Sequence, residues 1–190
     1  MVLEKLGPLF LTIFVIGYLF GCVTTEPLSI DLASLPRKNS ATGLKGCIIN
    51  IVDILDERTS KNDLGSVGPR LVHTNDVMPW IRQSVESVIN RSIEQQPGVI
   101  DQRYRVDLTA RLKKLYVHTL LTSISANVLL VMNYSVDQSP PETHTYRGRE
   151  TSVNWTGSAD SVAGLFDDAM TDALERLRAD LQGRCRSKPS

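Results

Sequence analysis

Two consecutive segments in which every second residue is apolar restrict the fold of this chain more than any other feature. They are Arg103–Thr119 and Leu120–Val136. A period of two predicts β-strands that bury one face and expose the other. The phase changes after Lys113 and Lys114, and one extra residue in a β-bulge would account for the change. Because little chain separates the two strands, we expect them to pair antiparallel.

The other elements follow from similar patterns. Cys47–Leu55 is almost continuously apolar and β-branched, which is typical of a strand covered on both faces. Thr143–Thr156 is a third, less regular strand of the same predicted sheet. Apolar residues recur at helical spacing in Asp76–Gln95 and in Ser158–Gln182. The sequence therefore predicts four strands and two amphipathic helices.

The predicted order is β-α-β-β-β-α, with Ser60–Asn75 as a loop and Gly183 ending the last helix. Each helix has one apolar face, and the sheet needs one of its faces covered. The economical arrangement is an α+β fold, a two-layer sandwich. In it an antiparallel sheet carries both helices on one face.

The N-terminal residues have the pattern of an export leader. An apolar run of twelve residues, Leu9–Phe20, is interrupted only by Thr12 and Gly17. As a helix it would cover roughly 18 Å, against about 30 Å for the hydrocarbon core of a bilayer. That length is typical of the apolar part of a signal peptide. An uncleaved anchor is a second interpretation, because the run can be counted back to Leu6.

The leader ends in Leu19-Phe20-Gly21-Cys22, which resembles a lipobox, the site where bacteria attach diacylglycerol to a cysteine and cleave before it. The resemblance implies that the Cys22 sulfur carries lipid, and two or three acyl chains would hold the protein firmly. Enteric-type bacteria retain lipoproteins in the inner membrane through an aspartate at the next position, which here is Val23. We therefore expect a lipid-anchored envelope protein in the outer membrane, facing the periplasm. A secreted protein without lipid is the remaining alternative.

The chain divides into four predicted parts. Residues 1–21 are the signal peptide, and residues 22–43 hold the lipidated cysteine and a flexible tether. Residues 44–184 form a single α+β domain, and residues 185–190 form a C-terminal tail. Proline, serine and threonine favour the tether interpretation. A second interpretation places its apolar residues on the domain as an edge strand (Ile30, Leu32 and Leu35).

Two cysteines remain in the mature chain, Cys47 before the first strand and Cys185 after the last helix. In an oxidising periplasm they could form a disulfide that joins the two ends of the domain. The alternative is that Cys47 is a small buried strand residue.

The charge of the chain argues against one class of partner. Its 21 acidic and 21 basic residues give zero net charge, which lacks the basic excess of a nucleic-acid-binding protein. Arg103, Arg105 and Arg111 have the parity opposite to the apolar positions of their strand. They are predicted to lie on an exposed sheet face, where they would meet an anionic partner such as lipid headgroups or glycan. An ordinary solvated face is equally compatible.

No residue set matches a catalytic or metal-binding motif. His73, His118 and His144 have none of the spacings of metal-ligand motifs. Acidic residues surround the end of the first strand, and we interpret them as a solvated strand end with Asp56 paired to Arg58. A weak divalent-cation site is a second interpretation of this group (Asp53, Asp56, Glu57, Asp63 and Asp76). We predict no catalytic residue, no metal and no cofactor.

The whole pattern resembles the YajG-type family of bacterial lipoproteins, and more loosely the LptE-like and transport-auxiliary lipoproteins. The resemblance rests on the lipobox and three short segments, which are Ile51–Arg58, Tyr146-Arg147-Gly148 and Phe166–Leu174. It implies a small α+β body with no established catalytic residues.

We therefore expect a non-enzymatic accessory or binding subunit of the envelope, held to the membrane through lipid on Cys22. It would bind an envelope protein partner and no nucleic acid. One alternative is a tethered module for lipid, glycan or peptide, with an apolar pocket near Trp80 and Trp155. A remote alternative is a hydrolase, which would need Asp53, His73 and a serine within hydrogen-bond reach.

Overall fold

The computed structural model describes residues 25–35, 44, 47–89, 104–137, 139–153 and 157–186. Within these residues the chain forms strands and two helices in one domain. The strands are β1 (Leu28–Ile30), β2 (Cys47–Asp56), β3 (Asp63–Val67), β4 (Arg70–Thr74), β5 (Tyr104–Leu120), β6 (Ser123–Val136) and β7 (Glu142–Val153). The helices are α1 (Met78–Ile89), between β4 and β5, and α2 (Ala159–Arg186), after β7.

The long strand β5 organises the sheet. It pairs antiparallel with β6 from Val106 to Leu120, and β6 pairs antiparallel with β7. The other edge of β5 is shared between two strands, since β2 pairs parallel with Tyr104–Leu112 and β3 meets β5 at Val117. Beyond β3 lie β4 and then β1, so the main strand order is β1-β4-β3-β5-β6-β7.

The sheet is mixed, so the prediction of a purely antiparallel sheet was wrong. Antiparallel pairing holds for β5, β6 and β7, which short turns connect. Strand β2 pairs parallel with β5. The elements β3, β4 and α1 lie between them in the chain and provide the long crossover that a parallel pair needs. The order β-α-β-β-β-α was also wrong, because it lacks β3 and β4, which were not predicted as strands, and β1, which was only an alternative interpretation.

The predicted loop at residues 60–75 contains the antiparallel hairpin of β3 and β4. Its turn is formed by Gly68, with a φ of 59°, and Pro69. Glycine adopts that left-handed conformation without steric cost. Each strand has only five residues, too few for a clear period of two.

The start of the domain also differs from the prediction. Strand β1 pairs parallel with β4, and Leu28, Ile30 and Leu32 are buried in the core. The edge-strand interpretation is therefore correct for Ile30, whereas Leu32 and Leu35 follow the strand. The tether predicted over residues 22–43 does not include residues 28–32. Burial of three large apolar side chains is enough to hold a short segment on the sheet.

The bulge predicted beside Lys113 and Lys114 is confirmed. Pairing of β5 with β6 shifts by one residue there, from Leu112 opposite Leu130 to Lys114 opposite Leu129. A second irregularity lies in β2 between Ile51 and Asp53. Each bulge restores the phase that keeps apolar side chains on the same face of the sheet.

The core lies between the sheet and the two helices. Helix α2 packs on β6 and β7, and α1 packs against α2 and β2. The helix side of β5 and β6 is buried along most of its length, as are Trp80 of α1 and Phe166 of α2. Helix α2 does not end at Gly183 as predicted but continues to Arg186. The first two residues of the predicted tail, Cys185 and Arg186, therefore belong to α2, and the Cys185 side chain is buried.

Gly148 allows α2 to lie unusually close to β7. A Cβ atom at this position would stand 1.7 Å from the carbonyl oxygen of Ala169 and 2.9 Å from the backbone nitrogen of Ala173. Real Cβ atoms never approach backbone this closely, so any larger residue would push the helix and strand apart. The next residue of the strand, Arg149, donates its backbone N–H to the Asp172 carboxylate on α2 at 3.3 Å.

Gly148→Ala is expected to lower the free energy of unfolding by about 3 kcal/mol or more, because overpacking here displaces backbone. Gly164→Ala is the matched control on α2, where an added Cβ meets nothing within 4 Å. It should raise the stability by up to about 1 kcal/mol through helix propensity. Urea unfolding measures both, and equal effects of the two variants would contradict the close contact.

Candidate functional site

The sheet has one face that neither helix of the described residues covers, which we call the open face. Its residues alternate with those of the helix side on the three long strands, although Ser125 and Asn127 of β6 are themselves buried. On β7 the alternation is complete, with Tyr146 and Gly148 buried toward α2 and their neighbours exposed. The open face comprises Thr109, Arg111, Tyr116 and His118 of β5, Ser125, Asn127, Leu129, Val131 and Asn133 of β6, and Thr145, Arg147, Arg149 and Thr151 of β7.

The centre of the open face is apolar. Leu129 and Val131 lie there half-buried on β6. Val131 is opposite Arg111 of β5, which in turn is opposite the half-buried Leu55 of β2. On the other side Leu129 is opposite Arg147 of β7. Apolar side chains bordered by guanidinium groups suit a binding surface, where arginine is enriched.

The predicted arginines on β5 are already paired with carboxylates. Arg105 lies 3.3 Å from Asp107, and Arg111 lies 3.8 Å from Glu57. Glu57 also binds Lys113, whose hydrogen bond, opposed by some burial, lowers the pKa of the Glu57 carboxyl. Arg103 falls outside the described residues. The net charge of this edge of the face is therefore small.

The cations that sequence reasoning missed are on β7. Arg147 and Arg149 are exposed, and within the described residues neither forms an ion pair with a carboxylate. Arg149 Nε donates to the Ser125 hydroxyl at 3.0 Å, which holds its side chain across β6. The sequence signal for them was their alternation with Gly148, which places both arginines on the face of β7 opposite to that glycine. They make this side of the open face positively charged.

Two polar atoms on the open face are buried without a hydrogen-bond partner among the described residues. They are Nδ1 of His118 and Nε of Arg111. The His118 ring is stacked on Tyr116 with the ring centroids 5.9 Å apart. Arg111 Nε faces the Glu57 carboxylate at 3.8 Å, which is beyond hydrogen-bond distance. A buried polar atom without a hydrogen bond costs free energy.

A separate polar cavity of about 630 Å³ lies where β2, β4 and the start of α1 meet. Arg58 is 5% exposed there and forms a bidentate pair with Asp56, at 2.9 Å and 2.8 Å. This confirms the predicted Asp56–Arg58 pair. Its remaining terminal nitrogen, Nη1, is buried without a hydrogen-bond partner in the described part of the chain. The cavity is lined by Asp56, Arg58, Lys61, Asn62, His73, Thr74, Asn75, Asp76 and Val77.

The structure does not bring the postulated hydrolase residues together. His73 lines the polar cavity, whereas Asp53 lies at the β2 bulge, outside its lining, and no described lining residue is a serine. No cluster of three or more metal-ligating side chains was found among the described residues. Trp80 is entirely buried in the core, with its Nε1 3.4 Å from Asp167. Trp155, the other residue of the predicted apolar pocket, lies outside the described residues.

The densest group of polar side chains holds the end of α2 on the sheet. Tyr134 and Tyr146 both donate their hydroxyls to Asp180 Oδ2, at 2.7 Å and 2.6 Å. The His144 ring is stacked on Tyr134 at 5.2 Å. The Arg184 guanidinium lies over the Tyr134 ring, 5.0 Å from its centroid, and its Nη1 forms an ion pair with Glu142 at 2.7 Å. We call these six residues the Asp180 cluster.

Burial and the Asp180 charge set the protonation of this cluster. Burial, assisted by the hydrogen bond to Asp180, raises the pKa of Tyr134 to about 12 and also raises the pKa of Tyr146. Burial alone would raise the pKa of Asp180, but the two tyrosine hydrogen bonds and Arg184 outweigh it and lower that pKa. At neutral pH the tyrosines are therefore protonated donors and Asp180 is an ionised acceptor.

One turn beyond Asp180, a disulfide joins Cys185 to Cys47 at the start of β2, with the Cα atoms 5.5 Å apart. That separation is in the usual range for a disulfide. The bond closes a loop of 138 residues, which in the chain-entropy account stabilises the fold by about 5 kcal/mol at most.

Within the described residues no helix is long and apolar enough to cross a membrane. The leader and Cys22 lie outside these residues.

Comparison with known proteins gives no family for this chain. No family model and no curated protein matches it. Among solved structures it resembles a DUF330 protein of Xanthomonas campestris, at 13% identity and a TM-score of 0.45, over 84% of this chain and 96% of that one. A protein of Caulobacter crescentus CB15, provisionally named a lipoprotein, matches at 10% identity and a TM-score of 0.37, over 57% and 82% of the two chains.

A minor lipoprotein of Acinetobacter baumannii matches at 8% identity and a TM-score of 0.36, over 72% of this chain and 96% of that one. Two of these three neighbours thus carry the name lipoprotein. At TM-scores below 0.5 they assign neither a family nor a function, and the YajG-type resemblance stays a prediction.

Asp180→Asn is expected to lower the free energy of unfolding at pH 7 by about 1.5–3 kcal/mol, the range for hydrogen bonds to a charged group. The folded-state pKa of Asp180 lies below its ordinary value of 3.8. The contribution of the carboxylate is therefore complete above about pH 5 and is lost as the pH falls through the folded pKa. Urea unfolding between pH 7 and pH 3 should show the difference between parent and variant shrinking at the acid end.

Glu175→Gln removes one charge from an exposed position on the same helix and serves as the control, with little change expected at any pH. A parent–variant difference at Asp180 that stays constant down to pH 3 would contradict the assigned role.

Proposed function

We propose that this chain is a lipid-anchored lipoprotein of the bacterial cell envelope that acts as an accessory subunit and binds a protein partner through its open face. The main support for this proposal is the open face itself. Half-buried Leu129 and Val131 lie there beside Arg147 and Arg149, which have no carboxylate partner in the described part of the chain. Such a surface favours a partner that offers apolar contact and negative charge.

The position of the N-terminal segment supports the anchored arrangement. Residues 28–32 are packed on the domain, so only a short stretch of chain separates Cys22 from the body. A domain held so close to a membrane presents a restricted set of surfaces to its surroundings. This suits a subunit that works beside a membrane-bound partner.

Labelled palmitate incorporation tests the anchor. The parent chain expressed in a bacterium should take up the label and fractionate with membranes, because the Cys22 sulfur is the expected lipid attachment site. Cys22→Ala should lose both the label and the membrane association. An unlabelled parent would remove the anchor from this proposal and leave the leader as an ordinary signal or an uncleaved span.

Photo-cross-linking in cells tests the open face. A photoreactive phenylalanine analogue at Thr145, an exposed open-face position next to Val131, should give one discrete protein adduct. The same analogue at Glu175, exposed on the opposite side of the domain on α2, is the matched control and should give none. Adducts of equal yield from both positions, or an adduct from Glu175 alone, would sink the proposal.

A second candidate function is a tethered module for a small anionic ligand, which the polar cavity favours. Its lining combines the buried Arg58 with Lys61 and His73, and Arg58 Nη1 has no partner among the described residues. Two carboxylates of the lining oppose this positive charge, Asp76 and Asp56, the second of which contacts both Arg58 and Lys61. Such a module would give no protein adduct from Thr145, so the cross-linking result separates the two candidates.

A further inference from the structure

The N-terminal segment shows which end of the sheet lies nearest to Cys22. The Thr25 hydroxyl donates to the Pro69 carbonyl at 3.2 Å, and Arg70 Nε donates to the Glu26 carbonyl, also at 3.2 Å. Thr25 therefore lies at the turn between β3 and β4. Only Val23 and Thr24 separate it from Cys22, and the three Cα–Cα steps between them span at most about 11 Å.

The hairpin between β5 and β6 lies at the same end. Gly65 of β3 is level with Val117 of β5, and the Gly68 N–H donates to the Thr119 hydroxyl at 2.9 Å. The turn that contacts Thr25 is thus beside the last residues of β5. The end of β7 is there too, since Val153 is opposite Ser123, the first residue of β6.

Exposed apolar side chains are concentrated at this end. The described residues include five exposed large apolar side chains, and four of them are here, the fifth being Val52 at the β2 bulge. We call these four the apolar tip. They are Leu71 at 51% exposure, Leu120 at 50%, Leu121 at 100% and Val153 at 65%.

Leu121 is unusual in its backbone as well as its exposure. Its φ is 50°, a left-handed conformation that is uncommon outside glycine and is otherwise enriched in asparagine and aspartate. A short hairpin turn normally uses those residues. A fully exposed leucine here has neither a folding advantage nor a solubility advantage in water, which points to an apolar surrounding in the working protein.

We propose that the apolar tip enters the surface of the lipid bilayer to which Cys22 holds the chain. This rests on the proposed lipid anchor and adds a second contact between the domain and the membrane. The occupant is a bilayer because the chain reaches its lipid-bearing residue within about 11 Å of the tip's end of the sheet. Apolar side chains at such a depth reach the boundary between headgroups and acyl chains.

Two contacts at one end orient the domain. The strands then point away from the membrane, with the Asp180 cluster and the Cys47–Cys185 disulfide at the far end. In this orientation the open face is perpendicular to the membrane plane, and a membrane-bound partner can approach it from the side.

Tryptophan quenching by brominated lipid tests the tip. The lipidated full chain is reconstituted into phosphatidylcholine and phosphatidylglycerol vesicles, with or without bromine on the acyl chains. Leu121→Trp should lose emission in the brominated vesicles. Pro140→Trp, in the exposed loop at the far end before β7, is the matched control and should keep its emission; the parent supplies the blank for Trp80 and Trp155.

The proposal is overturned when position 121 is quenched no more than position 140. Quenching at 121 would also be no greater than at 140 if the tip contacted a second copy of the chain or another protein instead of lipid. Palmitate labelling of the same preparation reports the anchor separately. Label without quenching at 121 overturns the tip alone, whereas absence of label overturns the anchor and the tip with it. Since Leu121 is fully exposed, the tryptophan leaves the core unchanged, which an unaltered urea transition checks.

Discussion

The close seating of α2 on β6 and β7 is the interaction on which the rest of this structure depends. Gly148 brings the strand against the helix backbone at Ala169. Further along, Asp180 accepts hydrogen bonds from two tyrosines of the sheet, and Cys185 ties the last turn to Cys47 of β2. The three contacts differ in kind, since one depends on shape, one on charge and one on a covalent bond. Together they hold the whole length of the helix on one face.

Neither of the two described helices covers the opposite face of the sheet. Strands β2 and β3 pair with successive parts of the same edge of β5, so the sheet has two distinct ends along its strands. One end receives the N-terminal segment at Thr25 and carries the apolar tip. The other carries the disulfide. The proposed anchor, tip and open face are thus arranged around the same scaffold, with lipid below the domain and a protein partner beside it. The polar cavity at Arg58 lies apart from this arrangement.

Much of the architecture followed from local pattern. The two long strands, the bulge beside Lys113 and both helices were predicted because each extends over several periods of apolar spacing. Strands β3 and β4 were missed, and β1 was given only as the alternative to a tether, because three to five residues carry too few periods to be recognised. The open face was predicted in part. Arg111 lies on it and Arg105 lies further along the same strand, but each is paired with a carboxylate. The exposed cations of β7 were not anticipated.

Local order along the chain was enough to establish an α+β body, its amphipathic helices and the parity of its long strands, since burial on one face dictates the periodicity of every extended element. Pairing between distant segments was a different matter. The parallel contacts of β1 with β4 and of β2 with β5, the approach of α2 to Gly148 and the gathering of exposed leucines near Thr25 all join residues far apart in sequence. Only packing in three dimensions decided them, because a composition or a period carries no information about which distant backbone it will meet.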